Sequence, residues 1–259
     1  GTLKLYWTPA ANANGTLNAF TVVARDGDGA VSASPTQVQV TASAVNDAPV
    51  VASAATPVAL AAVLEDQATI NGSTVDALFA PRFTDVDSGA SLGGIIVTGN
   101  TNASGGQWQY STDGTTWYDI GAVSDSTGLA LSAATKVRFL PDADWHGTPT
   151  PLTVYLTDNA YSGGYTVGAV RDTEPSLAAD GVSTNPTSLS TSVTSVNDVP
   201  VFTSAAGAVS VTETGAYDSS VGGGAVSASG ASGHLAGNDV EDGTAVSFSI
   251  RGGSTSGAT

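Results

Sequence analysis

The feature that most constrains this chain is internal. The stretch "WTPAANANGTLNAFTVVARD", Trp7 to Asp26, aligns without a gap with "FLPDADWHGTPTPLTVYLTD", Phe139 to Asp158, at an offset of 132 residues. Pro9 meets Pro141, Gly15 meets Gly147, Thr16 meets Thr148, Val22 meets Val154 and Asp26 meets Asp158. The signature that follows, "SAVNDAPV" at Ser43 to Val50, returns as "TSVNDVPV" at Thr194 to Val201, now at an offset of 151. A fixed period is read before any local pattern, because it turns one fold problem into several copies of a smaller one. The offsets differ by 19, so the second copy carries extra residues, placed at about 161–184 as a long loop or an added hairpin. The expected units are the C-terminal part of one repeat at 1–46, a complete repeat at 47–197 and the N-terminal part of a third at 198–259.

Within the units the apolar period is two. "LNAFTVVA", "QVQVTASA", "GGIIVTG", "WQYST", "TWYDI", "KVRFL", "LTVYLT" and "TSLSTSVTSV" are short, rich in β-branched and aromatic residues, and bounded by Gly, Asn, Asp and Pro, as half-buried strands are. Asp113-Gly114 between two aromatic runs predicts a hairpin, since Gly accepts the positive φ of tight turns. Only "TVDALFAP", Thr74 to Pro81, predicts a turn or two of helix. The expected fold is all-β, a string of antiparallel β-sandwiches joined end to end.

Charge narrows the partners. Seven Lys and Arg stand against 23 Asp and Glu, a formal charge of −16, so nucleic acid and anionic lipid are excluded as electrostatic partners and cations are favoured. With no Cys and no Met there is no disulfide framework and no soft metal ligand. Low Lys with abundant Gly, Ala, Ser and Thr fits an extracellular bacterial surface protein. No run approaches the roughly 20 apolar residues needed to span a bilayer, and no direct membrane insertion is expected of this segment. The start on strand-like sequence and the unclosed C-terminal end predict a segment of a longer polypeptide.

The acidic residues fall in loop sequences, and sandwich loops gather at two poles. Asn46 and Asp47 occupy the linker, with Glu65, Asp85 and Asp87 expected at the adjoining pole. So many unneutralised carboxylates at one junction would repel one another. Calcium takes six to eight hard oxygens in irregular geometry, whereas zinc would want His or Cys and only His146 and His234 are present. Calcium is the expected ion. An isolated acid such as Asp113 or Asp125 is expected only to cap its own turn. Pro49 and Pro200 fix φ and bias Ala48 and Val199 towards extended backbone, so each linker leaves its domain straight.

The boundaries "VNDAPV" and "VNDVPV", with "GGQWQYSTDGTTWYDI" and "KVRFLPDADWHGTPTPLTVYLTDNA", resemble the immunoglobulin/cadherin-like repeats of very large bacterial surface adhesins of the RTX type, exported by type I secretion. "VTETG" and "GHLAGNDVEDGTAVSFSIRGG" resemble the start of a VCBS-type repeat of the same class. The resemblance implies a tandem β-sandwich stalk that projects an adhesive tip and supports cell adhesion or biofilm formation, its joints stiffened by calcium and its neighbours the adjacent repeats of the same chain. It implies ligands at Asn46 and Asp47 with Glu65, Asp85 and Asp87, and at Asn197 and Asp198 with Glu213, Asp239 and Glu241. The full linker motif of animal cadherins and the nonapeptide RTX calcium repeat are both lacking in this sequence.

Other functional classes have residue signatures of their own. Asp142 and Asp144 beside Trp145 and His146 are the best pair for glycoside cleavage, but the first copy has Ala10, Asn12, Ala13 and Asn14 at the matching positions, so no enzyme is expected. Trp108, Tyr110, Trp117 and Tyr118 could stack on the sugars of cell-surface glycans if exposed on one face, the mark of a carbohydrate-binding module. A self-assembling surface-layer or filament subunit, docking like molecules at sheet edges, is the remaining alternative.

Overall fold

A computed structural model describes residues 4–101, 105–171, 176–177, 180–199, 201–204 and 236–238. The chain divides into two compact units, Gly1–Thr194 and Ser195–Thr259.

The first unit opens with a hairpin of β1 (Gly15–Val22) and β2 (Thr36–Ala42). Short strands follow: β3 (Val50–Val51), β4 (Val58–Ala59), β5 (Val63–Leu64) and β6 (Ser73–Thr74). The one α-helix among the described residues, α1 (Val75–Phe79), lies where "TVDALFAP" predicts it. Thr74 caps it, its Oγ1 accepting from the Ala77 N–H at 3.2 Å, and Pro81 tightens the exit into a 3-10 turn at Ala80–Arg82. Then come β7 (Phe83–Thr84), β8 (Leu92–Gly99), β9 (Gly106–Ser111), β10 (Tyr118–Asp119), β11 (Leu129–Ser132), β12 (Lys136–Pro141), β13 (Leu152–Asp158), β14 (Thr187–Ser190) and β15 (Val193–Thr194).

Two sheets carry the core. One is ordered β10-β9-β12-β6 and the other β11-β8-β13-β14-β4. Trp108, Tyr110, Val137 and Phe139 from the first interleave with Ile95, Val97, Leu129, Leu131, Leu152, Val154, Leu156 and Leu189 from the second. Each such side chain contributes about 1.5–3 kcal/mol by leaving water. The chain is thus mostly β, with a sandwich-like pair of sheets. In the second unit β16 (Val201–Ser204) pairs antiparallel with β17 (Ala236–Asn238).

The sequence match of the two segments extends to backbone pairing. Phe20↔Val38, Thr21↔Gln37 and Val22↔Thr36 in the first hairpin correspond to Leu152↔Leu189, Thr153↔Ser188 and Val154↔Thr187. The Ala24 N–H donates to Ser32 Oγ at 3.1 Å and the Leu156 N–H to Ser183 Oγ at 3.0 Å. Asn12 and Asp144 both take a left-handed φ, 61° and 57°, in turns closed by Ala13 N–H to Ala10 O and Trp145 N–H to Asp142 O. The Asp26 N–H donates to Ala30 O where the Asp158 N–H donates to Gly181 O, so the extra residues of the second copy lie between Asp158 and Gly181. Burial distinguishes the two: Val22 is 40% exposed, whereas its counterpart Val154 is fully buried.

The extra residues cover the outer face of the five-stranded sheet. Tyr161, with Tyr165 against it, packs on Ile96 and Ala130 beside Val182, the counterpart of Val31. Tyr165 OH and Thr157 Oγ1 share a hydrogen bond of 2.8 Å. Burial, aided by the negative charge of Asp158, pushes the Tyr165 phenol above its ordinary value, against the opposing pull of the Thr157 bond. β11 carries no strand signal in the sequence, because "LALS" has no β-branched residue and no alternation. It is apolar on both faces since the inserted segment covers what a smaller sandwich would expose.

The Asp113-Gly114 turn forms a hairpin, but a wide one. Tyr118 pairs with Tyr110 and Asp119 with Gln109, so the chain between β9 and β10 wraps around the Asp113 carboxylate. Its Oδ1 accepts from the N–H groups of Thr115 and Thr116 at 2.8 and 2.7 Å and from Ser111 Oγ at 3.0 Å. The backbone bonds from Thr116 and Thr115 hold this carboxyl well below the usual range. Because the folded value is depressed, the stabilisation is full above the unfolded value of about 4 and is lost as the pH falls through the folded one. The stability difference between the native chain and Asp113→Ala, measured by denaturant unfolding, is therefore expected to be constant at neutral pH and to shrink in acid.

Candidate cation site at the Asn46–Asp47 linker

The linker is pinned to the sandwich by its own polar side chains. Asn46 and Asp47 are half-buried and Pro49 is buried, while Val45, 78% exposed, stands in solvent. Asn46 Nδ2 donates to Asp158 Oδ2 at 2.9 Å and to Asp47 O at 3.0 Å. The Asp47 N–H donates to Asp87 Oδ2 at 2.7 Å, and the Asp87 N–H to Asp85 Oδ1 at 2.8 Å. Asp158 Oδ1 accepts from the Ala160 N–H at 2.8 Å. This carboxylate is only 1% exposed, and the residue beside it must be glycine: a Cβ on Gly181 would lie 2.4 Å from Asp158 Oδ1.

The carboxylates of Asp85, Asp87 and Asp158 are thus linked in one chain of hydrogen bonds through the amide of Asn46 and the backbone of Asp47, itself a fourth acid. Among the described residues no Lys or Arg nitrogen lies within 4 Å of any of them. Unit charges about 4 Å apart repel by about 4 kcal/mol at an effective dielectric of 20. Asp85 Oδ2 is buried without a hydrogen-bond partner, an acceptor whose desolvation is uncompensated within the chain. Asn46 spends its amide donors on Asp158 and Asp47 O, so its amide oxygen is what it can offer an ion. Beside these residues a cavity of about 290 Å³ is lined by Asn14, Asn46, Asp87 and Asn159 among others.

The donor set is all hard oxygen and anionic, which fits calcium. Among the described residues no three His, Asp or Glu side chains form a finished metal cage. Asp87 Oδ2, Asp85 Oδ1 and Asp158 Oδ1 each rest on a backbone N–H group.

Glu65 does not join this group. Its N–H donates to Thr194 O at 3.2 Å, and its fully buried side chain meets His146 Nδ1 at 3.2 Å. The parallel pairing of β5 with β15 draws it to the end of the sandwich where the chain leaves, near Gly147, which pairs with Val193. Asp158 closes the far end of β13, a strand roughly 20 Å long at about 3.3 Å per residue. The expectation that Glu65 shares a pole with Asp85 and Asp87 is therefore corrected; sequence order placed it near the leading linker, and the pairing of β5 sends it to the trailing one.

Asp158 is the residue that sequence reasoning left out of the set. The signal was present, since Asp158 matches Asp26, whose Oδ1 likewise accepts from the N–H two residues on, at 3.1 Å. At the second linker Asn197 Nδ2 donates to Asp198 O at 2.9 Å, as Asn46 does to Asp47 O. Glu213, Asp239 and Glu241 lie outside the described residues.

The aromatic platform expected of a sugar module is not formed by the residues named for it. Trp108 and Tyr110 are each 1% exposed, with Trp108 Nε1 donating to Thr150 O and Tyr110 OH to Gly168 O, both at 3.0 Å. The Arg138 guanidinium lies over the Trp117 ring, 4.0 Å from its centroid. Tyr118 is half-buried against Tyr110. No family model, curated protein or solved structure matches this chain.

Proposed function

We propose that this chain is a non-enzymatic extender segment of a large extracellular bacterial adhesin, built of tandem cadherin-like β-sandwiches and stiffened by calcium at its linkers. The observation that carries the reading is the linker itself. Asn46 and Asp47 are bonded to the uncompensated carboxylates Asp87 and Asp158, and the same Asn-to-Asp contact recurs at Asn197 and Asp198. The pairwise identity of β1–β2 with β13–β14 supports successive copies of one module along a stalk.

In this reading Asn46, Asp47, Asp85, Asp87 and Asp158 hold the ion, and Asn14, the counterpart of His146 in the preceding copy, lines the same cavity as Asp87. Calcium would screen the four carboxylates from one another and tie residues 4–46 to the sandwich that follows. The partners are then the adjacent repeats of the same chain, and the setting the cell exterior.

Small-angle scattering of the 259-residue chain, with calcium and with chelator, tests the mechanical part. The maximum dimension is expected to be larger and more sharply defined with calcium. Superimposable distance distributions under the two conditions would contradict a calcium-stiffened stalk.

A further inference from the structure

We propose that the cleft beside β9 and β10 binds a neutral saccharide through its hydroxyl groups. It is separate from the linker, encloses about 390 Å³, and is lined by Asn100, Gly106, Gln107, Asp119, Gly121 and Asp142 along with the edge of Trp108. That volume lies in the range of small-molecule sites, about 300–1,000 Å³.

The floor is preorganised. Gln107 and Gln109 alternate along β9 with the buried Trp108 and Tyr110, so both amides stand on the outer face. Gln107 Nε2 donates to the two Asp119 oxygens at 2.8 and 2.7 Å in the orientation that pairs donor with acceptor. Gln109 Nε2 donates to Asp119 Oδ1 at 2.8 Å, and Gln109 Oε1 accepts from Arg138 Nε at 2.9 Å. Arg138 in turn is fixed by Trp117 and by Ile70 O. A row of planar side chains held in this way loses little freedom when a ligand arrives.

One wall asks for a donor. Asn100 Nδ2 is committed to Gly121 O at 2.8 Å, and Asn100 Oδ1 is buried with no hydrogen-bond partner. Buried acceptors in this state mark a place where a water, ion or ligand group belongs. The Asp142 carboxylate is the second acceptor lining the cleft.

The class of ligand follows by comparison. A calcium ion needs six to eight oxygens, and Asp119 is already engaged by two amides, which leaves Asp142 and Asn100. Anionic ligands meet two carboxylates and no Lys or Arg among the lining residues. An apolar ligand would strand the same acceptors. Neutral sugar hydroxyls can donate to Asn100 Oδ1 and to Asp142 without bringing a charge of their own. With no ring face exposed for stacking, affinity should be millimolar.

The test is a ¹H–¹⁵N NMR titration of the full chain with methyl α-D-mannopyranoside, methyl β-D-galactopyranoside and methyl α-D-glucopyranoside, with glucuronate and calcium chloride as controls. A saturable shift of the Asn100 side-chain amide and the Gly106 and Gly121 backbone amides is expected with at least one neutral glycoside. Asp142→Ala, an exposed change, should weaken that binding roughly tenfold or more, the effect of losing a hydrogen bond to a charged group. Asn100→Ala should abolish the Gly121 response. No response to any of the three glycosides, an equal response to glucuronate, a response at these residues only to calcium, or binding unchanged by Asp142→Ala overturns the assignment.

Discussion

Asp158→Asn is expected to destabilise the first unit by about 1–3 kcal/mol, the range for leaving a buried donor unsatisfied, although it changes one atom. Both Asp158 oxygens accept from N–H donors, Oδ2 from Asn46 and Oδ1 from Ala160. An amide can present its oxygen to only one of them, so its NH₂ must face a donor in a site that is 1% exposed. The bond lost to Asn46 is also the one that ties the linker to the sandwich. A fall in the urea midpoint at unchanged slope, together with faster exchange of the Asp47 and Ala160 amides, is the expected pattern. A stability within error of the parent chain would show that these bonds contribute nothing.

Gly94→Ala should cost about 3 kcal/mol or more, at or beyond the upper end of the roughly 1–3 kcal/mol usual for overpacking. The added Cβ would lie 2.2 Å from Leu131 O and 2.7 Å from the Tyr165 ring. Leu131 O belongs to β11, paired with β8 through Leu131↔Ile95 and Ser132↔Gly94, so it cannot retreat without opening that ladder. Tyr165 is held by its bond to Thr157 and by Tyr161. Neighbouring Gly93 is confined in the same way, by Asp158 O and Tyr165 OH. Thermal unfolding read by near-ultraviolet circular dichroism should report both the loss of stability and a changed Tyr165 environment.

What could be read in advance followed from periodicity. Alternation with β-branched and aromatic residues located β1, β2, β8, β9, β12, β13 and β14, and the Thr74 cap with Pro81 located α1. The repeat offsets located the inserted residues to within a few positions. β10 and β15 fall inside the expected runs "TWYDI" and "TSLSTSVTSV", whereas β11 and the remaining strands of two residues were not legible, because their signal is pairing and not composition. β3, β4, β5 and β7 are each too short to display a period, and it is the parallel pairing of β5 with β15 that moves Glu65 to the trailing end.

The site was legible in part for the same reason. Asp47, Asp85 and Asp87 are close in sequence to the linker or share one loop, so their meeting could be foreseen. Asp158 reaches Asn46 across 112 residues, and only the fold of β13 against β8 brings it there. The aromatic residues taken as a sugar platform failed that role because alternation alone does not say which face is inward. In β9 the inward face is Trp108 and Tyr110, and the outward face is Gln107 and Gln109.

Calcium titration of the intact chain by calorimetry, paired with thermal melts, tests the central claim most directly. Binding at the Asn46–Asp47 linker should add about 2.7 kcal/mol at a calcium concentration one hundred times Kd, which raises the melting temperature by roughly 5–10 °C for a unit of this size. Asp87→Asn should abolish the linker heat and that rise while leaving the chain folded. Absence of calcium heat in the native chain, or a rise in melting temperature unaffected by Asp87→Asn, would contradict the account of the linker as a cation-stiffened joint.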